Sequence, residues 1–178
     1  DSEFMERTAI GIAGRELRVA RFEFPYMVKR RGDGKRRPPD RASVLIEAYL
    51  QVAAELGPKN LVIGGKSMGG RIASMVADEA GVAGLICLGY PFHPPGKPEK
   101  LRTKHLGLLE TPTLILQGER DPFGKKEEVT SYRLSPSIQV VFLPDGDHDL
   151  KPRKASGRTH EDNRNAAIAA AHAFVEDL

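Results

Sequence analysis

The chain has 178 residues, a net charge of +3 and 40% hydrophobic residues, which predicts one globular domain over residues 1–178 whose core needs no disulfide or metal. The longest apolar run, Val82–Gly89, is far too short to span a membrane, and so small a net charge does not by itself indicate a nucleic-acid partner. The single cysteine, Cys87, excludes an internal disulfide framework, and with no recognisable signal peptide it predicts a reducing, cytoplasmic location.

Short apolar, β-branched runs alternate with amphipathic stretches, a pattern that predicts βα units around a mostly parallel sheet. In chain order the predicted elements are helix Met5–Gly14, strand Leu17–Phe24, helix Arg41–Leu56 capped by Asp40, strand Asn60–Gly64, helix Met68–Ala80, strand Val82–Leu88, a short helix near Glu99–Leu109, strand Thr113–Gln117, helix Lys125–Tyr132, strand Ile138–Leu143 and helix Glu161–Leu178. A basic loop is predicted over Pro25–Pro39. The 24 residues between Leu88 and Thr113 leave no room for a large cap domain.

The most specific motif is Gly65-Lys66-Ser67-Met68-Gly69, a G-x-S-x-G sequence between a predicted strand and a predicted helix. In that context a sharp strand-to-helix turn exposes the serine hydroxyl, and glycines on either side are expected to remove steric clashes. The backbone N–H of Met68 then lies at a helix N-terminus, where it can donate to an oxyanion. The motif therefore predicts Ser67 as a nucleophile and Met68 as an oxyanion-hole donor.

This motif has two other interpretations. A phosphate-binding P-loop would need a glycine five residues before Gly65, and Asn60 stands there. The second interpretation, a glycine-rich turn with an incidental serine, stays open on the motif alone.

A serine nucleophile needs a base and an acid, which in this arrangement follow in the order Ser, acid, His. Asp121 lies in the loop after strand Thr113–Gln117, and His148 lies in the loop after strand Ile138–Leu143. Parallel strands bring both loops to one edge of the sheet, so we predict Asp121 as the acid and His148 as the base. Glu119 is a weaker candidate acid. Taken singly, Asp121 could be a turn-forming residue before proline and His148 a solvated loop histidine.

Three aspartates flank His148, at positions 145, 147 and 149. A calcium loop of the EF-hand type would need Gly and Glu where Leu150 and Ser156 stand. No metal site and no cofactor are predicted. Of the remaining histidines, His93 follows a strand at the active edge, so His93 and Lys66 of the motif are predicted substrate contacts.

Basic side chains concentrate in loops at the same edge, above all in Lys29–Arg41. Further examples follow two later strands: Lys97, Lys100, Arg102, Lys104, Lys151, Arg153, Lys154 and Arg158. This rim would attract an anionic small-molecule ester. The alternative is a solvated basic surface. Nucleic acid is not predicted as a partner, because no aromatic residue interleaves the Lys29–Arg41 run.

The sequence resembles the alpha/beta-hydrolase superfamily, in particular small bacterial hydrolases of the dienelactone-hydrolase-like type. The matching stretches are Arg21–Met27, Gly34–Arg41, Gly64–Arg71, Gly89–Glu99, Leu116–Gly124 and Gly146–Gly157. The resemblance implies a mostly parallel twisted sheet flanked by helices, with Ser67, Asp121 and His148 as the catalytic triad. It leaves the substrate undefined.

The resemblance also implies a strand ending in an H-G-A-G-like loop, whose backbone N–H completes the oxyanion hole. Residues Asp1–Met5 are similar to those that follow that loop, so the N-terminal strands are expected to be missing from this sequence; alternatively, Asp1–Phe4 is vector-derived. Loss of one oxyanion donor lowers the rate by about 10²–10³.

The predicted function is therefore hydrolysis of a small carboxylic ester through an acyl-enzyme. A thioesterase or lactonase using the same triad, and a non-catalytic binding or scaffold protein of the same fold, remain the alternatives.

Overall fold

The computed structural model describes residues 2–14 and 17–178. Within these ranges it contains four β-strands: β1 (Val62–Lys66), β2 (Gly84–Leu88), β3 (Thr113–Gly118) and β4 (Ile138–Leu143). The same ranges contain six α-helices: α1 (Glu3–Ala13), α2 (Pro25–Asp33), α3 (Ala42–Leu56), α4 (Met68–Ala80), α5 (Lys126–Val129) and α6 (His160–Glu176). No helix of the described part of the chain is both long and apolar enough to cross a membrane.

The four strands form one parallel sheet in the order β1-β2-β3-β4. Lys66 lies opposite Leu88, and Gly118 lies opposite Leu143, so the carboxyl ends of the strands meet at one edge. Helices α3 and α4 cover one face of the sheet, and α6 with α1 covers the other. The predicted fold class is therefore confirmed: a parallel sheet flanked by helices, with no large cap.

Helix α4 shows why this architecture forms. Its buried face is small or branched, and Ile72, Ala73 and Val76 pack against the sheet with at most 1% exposure. The helix ends where Gly81 adopts a left-handed conformation, with φ 62°. A residue without Cβ adopts that conformation without strain, as is common after a helix C-terminus.

The predicted strand Leu17–Phe24 is wrong. This segment has no regular secondary structure and pairs with no strand among the described residues, and the two residues before it lie outside them. Phe22 and Phe24 instead pack their rings against Tyr49 of α3. The Tyr49 hydroxyl donates to the Gly64 carbonyl and accepts from the Gly64 N–H at 3.1 Å, so a side chain occupies the outer edge of β1.

The predicted loop Pro25–Pro39 is also partly wrong, because its first nine residues form α2. Proline is well suited to the first turn of a helix, where its missing N–H needs no partner. Gly34, with φ 68°, ends the helix. Asp40 does not cap α3: the N-cap position is Arg41, and it makes no side-chain cap hydrogen bond.

The predicted helix near Glu99–Leu109 is a series of turns. Its backbone is held by partners outside the segment, such as the Phe92 carbonyl, which accepts from the Arg102 N–H at 2.7 Å. At its end the Asp78 carboxylate of α4 accepts from the N–H groups of Glu110 and Thr111. Of the predicted helix Lys125–Tyr132, only Lys126–Val129 is helical, as α5.

Candidate active site

Ser67 stands alone between the end of β1 and the start of α4. Its backbone has φ 52° and ψ −116°, a conformation that costs a non-glycine residue about 1–3 kcal/mol. The surrounding hydrogen bonds fix that conformation: the Ser67 N–H donates to the Leu88 carbonyl, and the Ser67 carbonyl accepts from the Arg71 N–H, both at 3.0 Å. The strand-to-helix turn that the motif predicts is therefore present.

The glycines of the motif do not contribute equally. A Cβ on Gly65 would lie 2.7 Å from the Gly69 carbonyl carbon, so only glycine fits there. A Cβ on Gly69 would meet nothing within 4 Å among the atoms compared, outside its own helix, so the expected clash at Gly69 is wrong. The second tight position is Gly70, where a Cβ would lie 2.6 Å from the Gly65 carbonyl oxygen and 3.3 Å from Sγ of Cys87.

Cys87 lies directly under this turn, in the buried strand β2. Its thiol is 3.5 Å from the Gly70 carbonyl oxygen, to which it donates. Burial raises the pKa of the Cys87 thiol far above its ordinary value. The thiol is thus a packing group of the turn.

The structure brings the three predicted triad side chains together. Ser67 Oγ lies 2.9 Å from Nε2 of His148, and Nδ1 of His148 lies 2.8 Å from Oδ2 of Asp121. A carboxylate only accepts, so Nδ1–H donates to Asp121, which leaves Nε2 to accept from the serine hydroxyl. Asp121 is fully buried and the His148 side chain is 20% exposed, so this chain of hydrogen bonds runs from the interior to the surface.

Asp121 is held in place by two further donors. Nε2 of Gln117 donates to Oδ2 at 3.0 Å, and the Phe123 N–H donates to Oδ1 at 2.9 Å. The Gln117 amide is itself fixed, because it donates to the Gly124 carbonyl and accepts from the Tyr90 N–H. No sequence motif predicts this role; its one signal is the polar Gln117 within the fully buried strand β3.

Two residues that no sequence motif predicts border His148: Phe123 and Gly89. The Phe123 ring lies 4.3 Å from the imidazole, measured between centroids, at an interplanar angle of 34°. On another side is Gly89, with φ 61°, where a Cβ would lie 2.8 Å from the His148 carbonyl oxygen and 3.3 Å from Nδ1. Glycine at position 89 is therefore required by both conformation and space.

Lys66, predicted as a substrate contact, binds the histidine loop. Its Nζ donates to the His148 carbonyl at 3.2 Å and pairs with Oδ1 of Asp149 at 2.7 Å. The hydrogen bond from Lys66 holds the pKa of Asp149 below its ordinary value. The residue before the nucleophile thus ties β1 to the loop that carries the histidine.

Met68, predicted as an oxyanion donor, is the first residue of α4. N–H groups in the first turn of a helix have no acceptor within the helix, and they carry the positive end of its dipole. The Met68 N–H is thus placed beside the Ser67 hydroxyl and has no carbonyl of its own helix to bind.

His93, the other predicted substrate contact, is 3% exposed. Its Nδ1 lies 2.9 Å from the Pro94 carbonyl, and its Nε2 lies 3.6 Å from Oε2 of Glu128. The ring therefore lies inside the protein against α5, and a contact between His93 and substrate stays a prediction.

The acidic residues around His148 point to different partners. Asp145 pairs with Arg120 and Arg153, Asp147 accepts from the N–H groups of Asp149 and Lys151, and Asp149 pairs with Lys66. Among the residues that the structure describes, no group of three or more His, Cys, Asp and Glu side chains is arranged to hold a metal ion.

Part of the basic rim is paired as well: Arg31 with Glu23 and Arg37 with Asp33.

An open cleft of about 750 Å³ adjoins the site. It lies beside Lys66 and Asp149, between the first turns of α1 and α6. Its lining includes none of Ser67, Asp121 and His148, so the cleft neighbours the triad without containing it.

The chain is similar to known proteins over nearly its whole length. A family model described as an alpha/beta hydrolase domain matches residues 1–176. A solved protein of the alpha/beta superfamily from Xanthomonas campestris pv. campestris is similar over 98% of this chain and 91% of its own, with a TM-score of 0.67 and 20% identity.

Two further solved structures are similar. The esterase domain of a Rhodothermus marinus protein matches 97% of this chain and 79% of its own, with a TM-score of 0.64 and 17% identity. An alpha-beta serine hydrolase homologue from Coxiella burnetii matches 81% of this chain, with a TM-score of 0.54 and 21% identity; the match spans 63% of that protein's length. The finer likeness to dienelactone hydrolases stays a prediction. The family match and the parallel sheet together establish that the chain belongs to the alpha/beta-hydrolase superfamily.

Proposed function

We propose that this protein is a serine hydrolase that cleaves a small carboxylic ester through an acyl-enzyme. The observation that carries the proposal is the continuous hydrogen-bonded chain from Ser67 through His148 to buried Asp121. The order of these residues along the chain is the one expected for this fold. The similar Rhodothermus marinus structure, named an esterase domain, also supports an ester substrate.

In the proposed mechanism, Nε2 of His148 takes the proton of Ser67 as Oγ attacks the carbonyl carbon of the ester. The Met68 N–H donates to the oxyanion that forms. The imidazolium, stabilised by Asp121, then protonates the leaving alkoxide, and the Ser67 ester remains. Water attacks this acyl-enzyme with His148 as base, which releases the acid and restores the hydroxyl.

A thioester or a lactone would follow the same steps, because both carry an acyl carbon that the serine can attack. The absence of a cap between β2 and β3 favours small, accessible substrates. Rates for matched 4-nitrophenyl ester, thioester and lactone substrates would rank the three classes.

The test is covalent labelling with a fluorophosphonate probe together with hydrolysis of 4-nitrophenyl acetate. We expect the probe to label Ser67 and nitrophenol to appear in a burst as the acyl-enzyme accumulates. Ser67→Ala should abolish labelling and lower kcat by about 10⁴-fold or more. Ser156→Ala removes an exposed hydroxyl elsewhere and should change neither.

A folded protein that is neither labelled nor hydrolytic would exclude the enzymatic proposal and favour the non-catalytic alternative. Hydrolysis that survives in Ser67→Ala would exclude the proposed nucleophile.

A further inference from the structure

A cluster of polar and cationic side chains lies between α4 and the segment that follows β2. Ser74 Oγ donates to the Arg71 carbonyl and contacts Nε2 of His105, both at 2.8 Å. The Tyr90 hydroxyl donates to the Arg102 carbonyl at 3.0 Å and lies 3.5 Å from the same His105 nitrogen. These contacts gather the backbone carbonyls of Arg71 and Arg102 around the side chains of Ser74, Tyr90 and His105.

The two guanidinium groups of this region lack an acidic partner. Nε of Arg71 is buried without a hydrogen-bond partner, and neither Arg71 nor Arg102 forms an ion pair among the described residues. Asp78, the next carboxylate on this face of α4, is already bonded to Glu110 and Thr111. A buried guanidinium N–H without an acceptor is costly, so the site favours a group that supplies one.

His105, the imidazole of the cluster, is neutral, so it neither offsets the charge of the two arginines nor adds to it. Ser74 donates its only proton to the Arg71 carbonyl, so Nε2–H of His105 donates to Ser74 Oγ. Burial and then the Arg71 charge lower the pKa of His105, which keeps the ring neutral near pH 7. Burial and then Arg71 also lower the pKa of Arg102, as expected for two neighbouring cations.

The cluster adjoins the proposed nucleophile. The Arg71 N–H donates to the Ser67 carbonyl, and helical side chains lean toward the N-terminal end of their helix, where Ser67 lies. Tyr90 directly follows Gly89, where a Cβ would lie 3.3 Å from Nδ1 of His148. An anionic group bound by Arg71 would therefore lie about one helical turn from Ser67.

We propose that Arg71 and Arg102 form an oxyanion-binding subsite that selects substrates carrying a carboxylate or phosphate group apart from the ester being cleaved. This inference rests on the proposed function, because it assigns the substrate class of the same site. Guanidinium groups suit this ligand because their planar N–H donors pair with carboxylate and phosphate oxygens in two parallel hydrogen bonds.

The kinetic test compares 4-nitrophenyl hemisuccinate with 4-nitrophenyl pentanoate, two esters of similar length that differ in one carboxylate. We expect a higher kcat/KM for the hemisuccinate in the unaltered protein. Arg71→Met and Arg102→Met should each lower the ratio of the two values by about tenfold, as for loss of one charge-assisted hydrogen bond. Arg133→Met removes an exposed arginine from a neighbouring segment. Because salt screens an exposed charge, this variant should leave the ratio unchanged.

The binding test does not depend on turnover. Inorganic phosphate and succinate should each raise the thermal midpoint above that in sodium chloride of equal ionic strength, because both bind only the folded state. The increase should disappear in Arg102→Met, and in Arg71→Met if circular dichroism shows that this variant folds. A larger effect of one anion would identify which group the subsite prefers.

The outcomes separate this inference from the proposed function. If esters are hydrolysed but the hemisuccinate ratio is the same in all variants, the subsite is wrong and the hydrolase stands. If no ester is hydrolysed, the proposed function is wrong and the binding test alone decides the subsite. The subsite would be overturned if the anions stabilised the unaltered protein and both variants equally. It would also be overturned if the anions stabilised none of the three proteins.

Discussion

The side-chain amide of Gln117 donates to Oδ2 of Asp121 at 3.0 Å, the oxygen that also lies 2.8 Å from Nδ1 of His148. One carboxylate oxygen thus receives donors from the strand that precedes it and from the imidazole that it orients. Gln117 is itself bonded to the backbone of Tyr90 and Gly124, so the carboxylate is fixed relative to the ends of β2 and β3.

Gln117→Leu should therefore lower kcat by up to about 10²-fold with little change in KM, because the imidazole loses its alignment and substrate binding does not depend on it. Buried backbone groups of Tyr90 and Gly124 would also lose their partner, which costs about 1–3 kcal/mol for each unsatisfied group. Steady-state kinetics with urea unfolding separate the two effects. Gln139→Leu changes an exposed glutamine of β4 and should alter neither. A rise in KM with kcat unchanged would contradict the positioning role.

Gly89→Ala should destabilise the protein and reduce hydrolysis, whereas Gly96→Ala should only destabilise it. Both glycines have positive φ, 61° and 70°, which costs alanine about 1–2 kcal/mol. Only at position 89 would the new Cβ also lie 2.8 Å from the His148 carbonyl oxygen, whereas nothing lies within 4 Å at position 96. Thermal midpoints measure the shared effect, and kcat/KM measures the one specific to Gly89. Equal activity of the two variants would contradict the contact with His148.

Lys66→Met should lower kcat, because the His148 carbonyl and Asp149 lose the ammonium that ties their loop to β1. If Lys66 instead bound substrate, as the sequence analysis predicts, KM would rise while kcat held. Lys66→Arg should restore part of kcat. Lys126→Met removes another ion pair, to Glu119, and should leave kcat unchanged. A double-mutant cycle with Asp149→Asn would measure the coupling.

Asp145 predicts a specific pH dependence of stability. Hydrogen bonds from Arg153 lower the pKa of this carboxyl from its ordinary value of 3.8 to about 2. A carboxyl whose pKa is lower in the folded state stabilises the folded protein fully at pH values above its ordinary pKa. That stabilisation is lost as the pH falls toward 2. Asp145→Asn should have a lower thermal midpoint at pH 7, and its deficit should vanish on acidification through this range. Asparagine tolerates the positive φ of 52°, so the comparison isolates the charge.

The control is Asp177→Asn, which changes an exposed carboxylate after α6 and should leave the stability curve unchanged. A deficit of Asp145→Asn that stayed constant between pH 7 and pH 2 would show that the charge does not contribute.

Much of the fold could be predicted because its signals are local. Strand β4 and helix α4 have the predicted bounds, since an apolar run between Ser137 and Pro144 marks β4 and Gly81 marks the end of α4. The proximity of Ser67, Asp121 and His148 followed from the rule that parallel strands end at one edge. Their catalytic roles stay predictions until the labelling and kinetic experiments are done.

The errors arose where tertiary contacts override local pattern. Residues Leu17–Phe24 alternate like a strand, but Tyr49 occupies the edge of β1 and Phe22 and Phe24 pack on its ring. Gln117 and Gly89 gave no motif, because their importance lies in contacts with residues distant along the chain. Sequence spacing alone does not reveal such contacts.

The buried thiol of Cys87 has a practical consequence for chemical studies of this protein. It is the one cysteine of the chain, and burial raises its pKa. The native protein should therefore not react with alkylating or disulfide-exchange reagents. A Ser67→Cys variant would then display a single accessible sulfhydryl. Titration with a chromogenic disulfide should give one equivalent per folded molecule and two per unfolded molecule, which measures the folded fraction before any substrate is known.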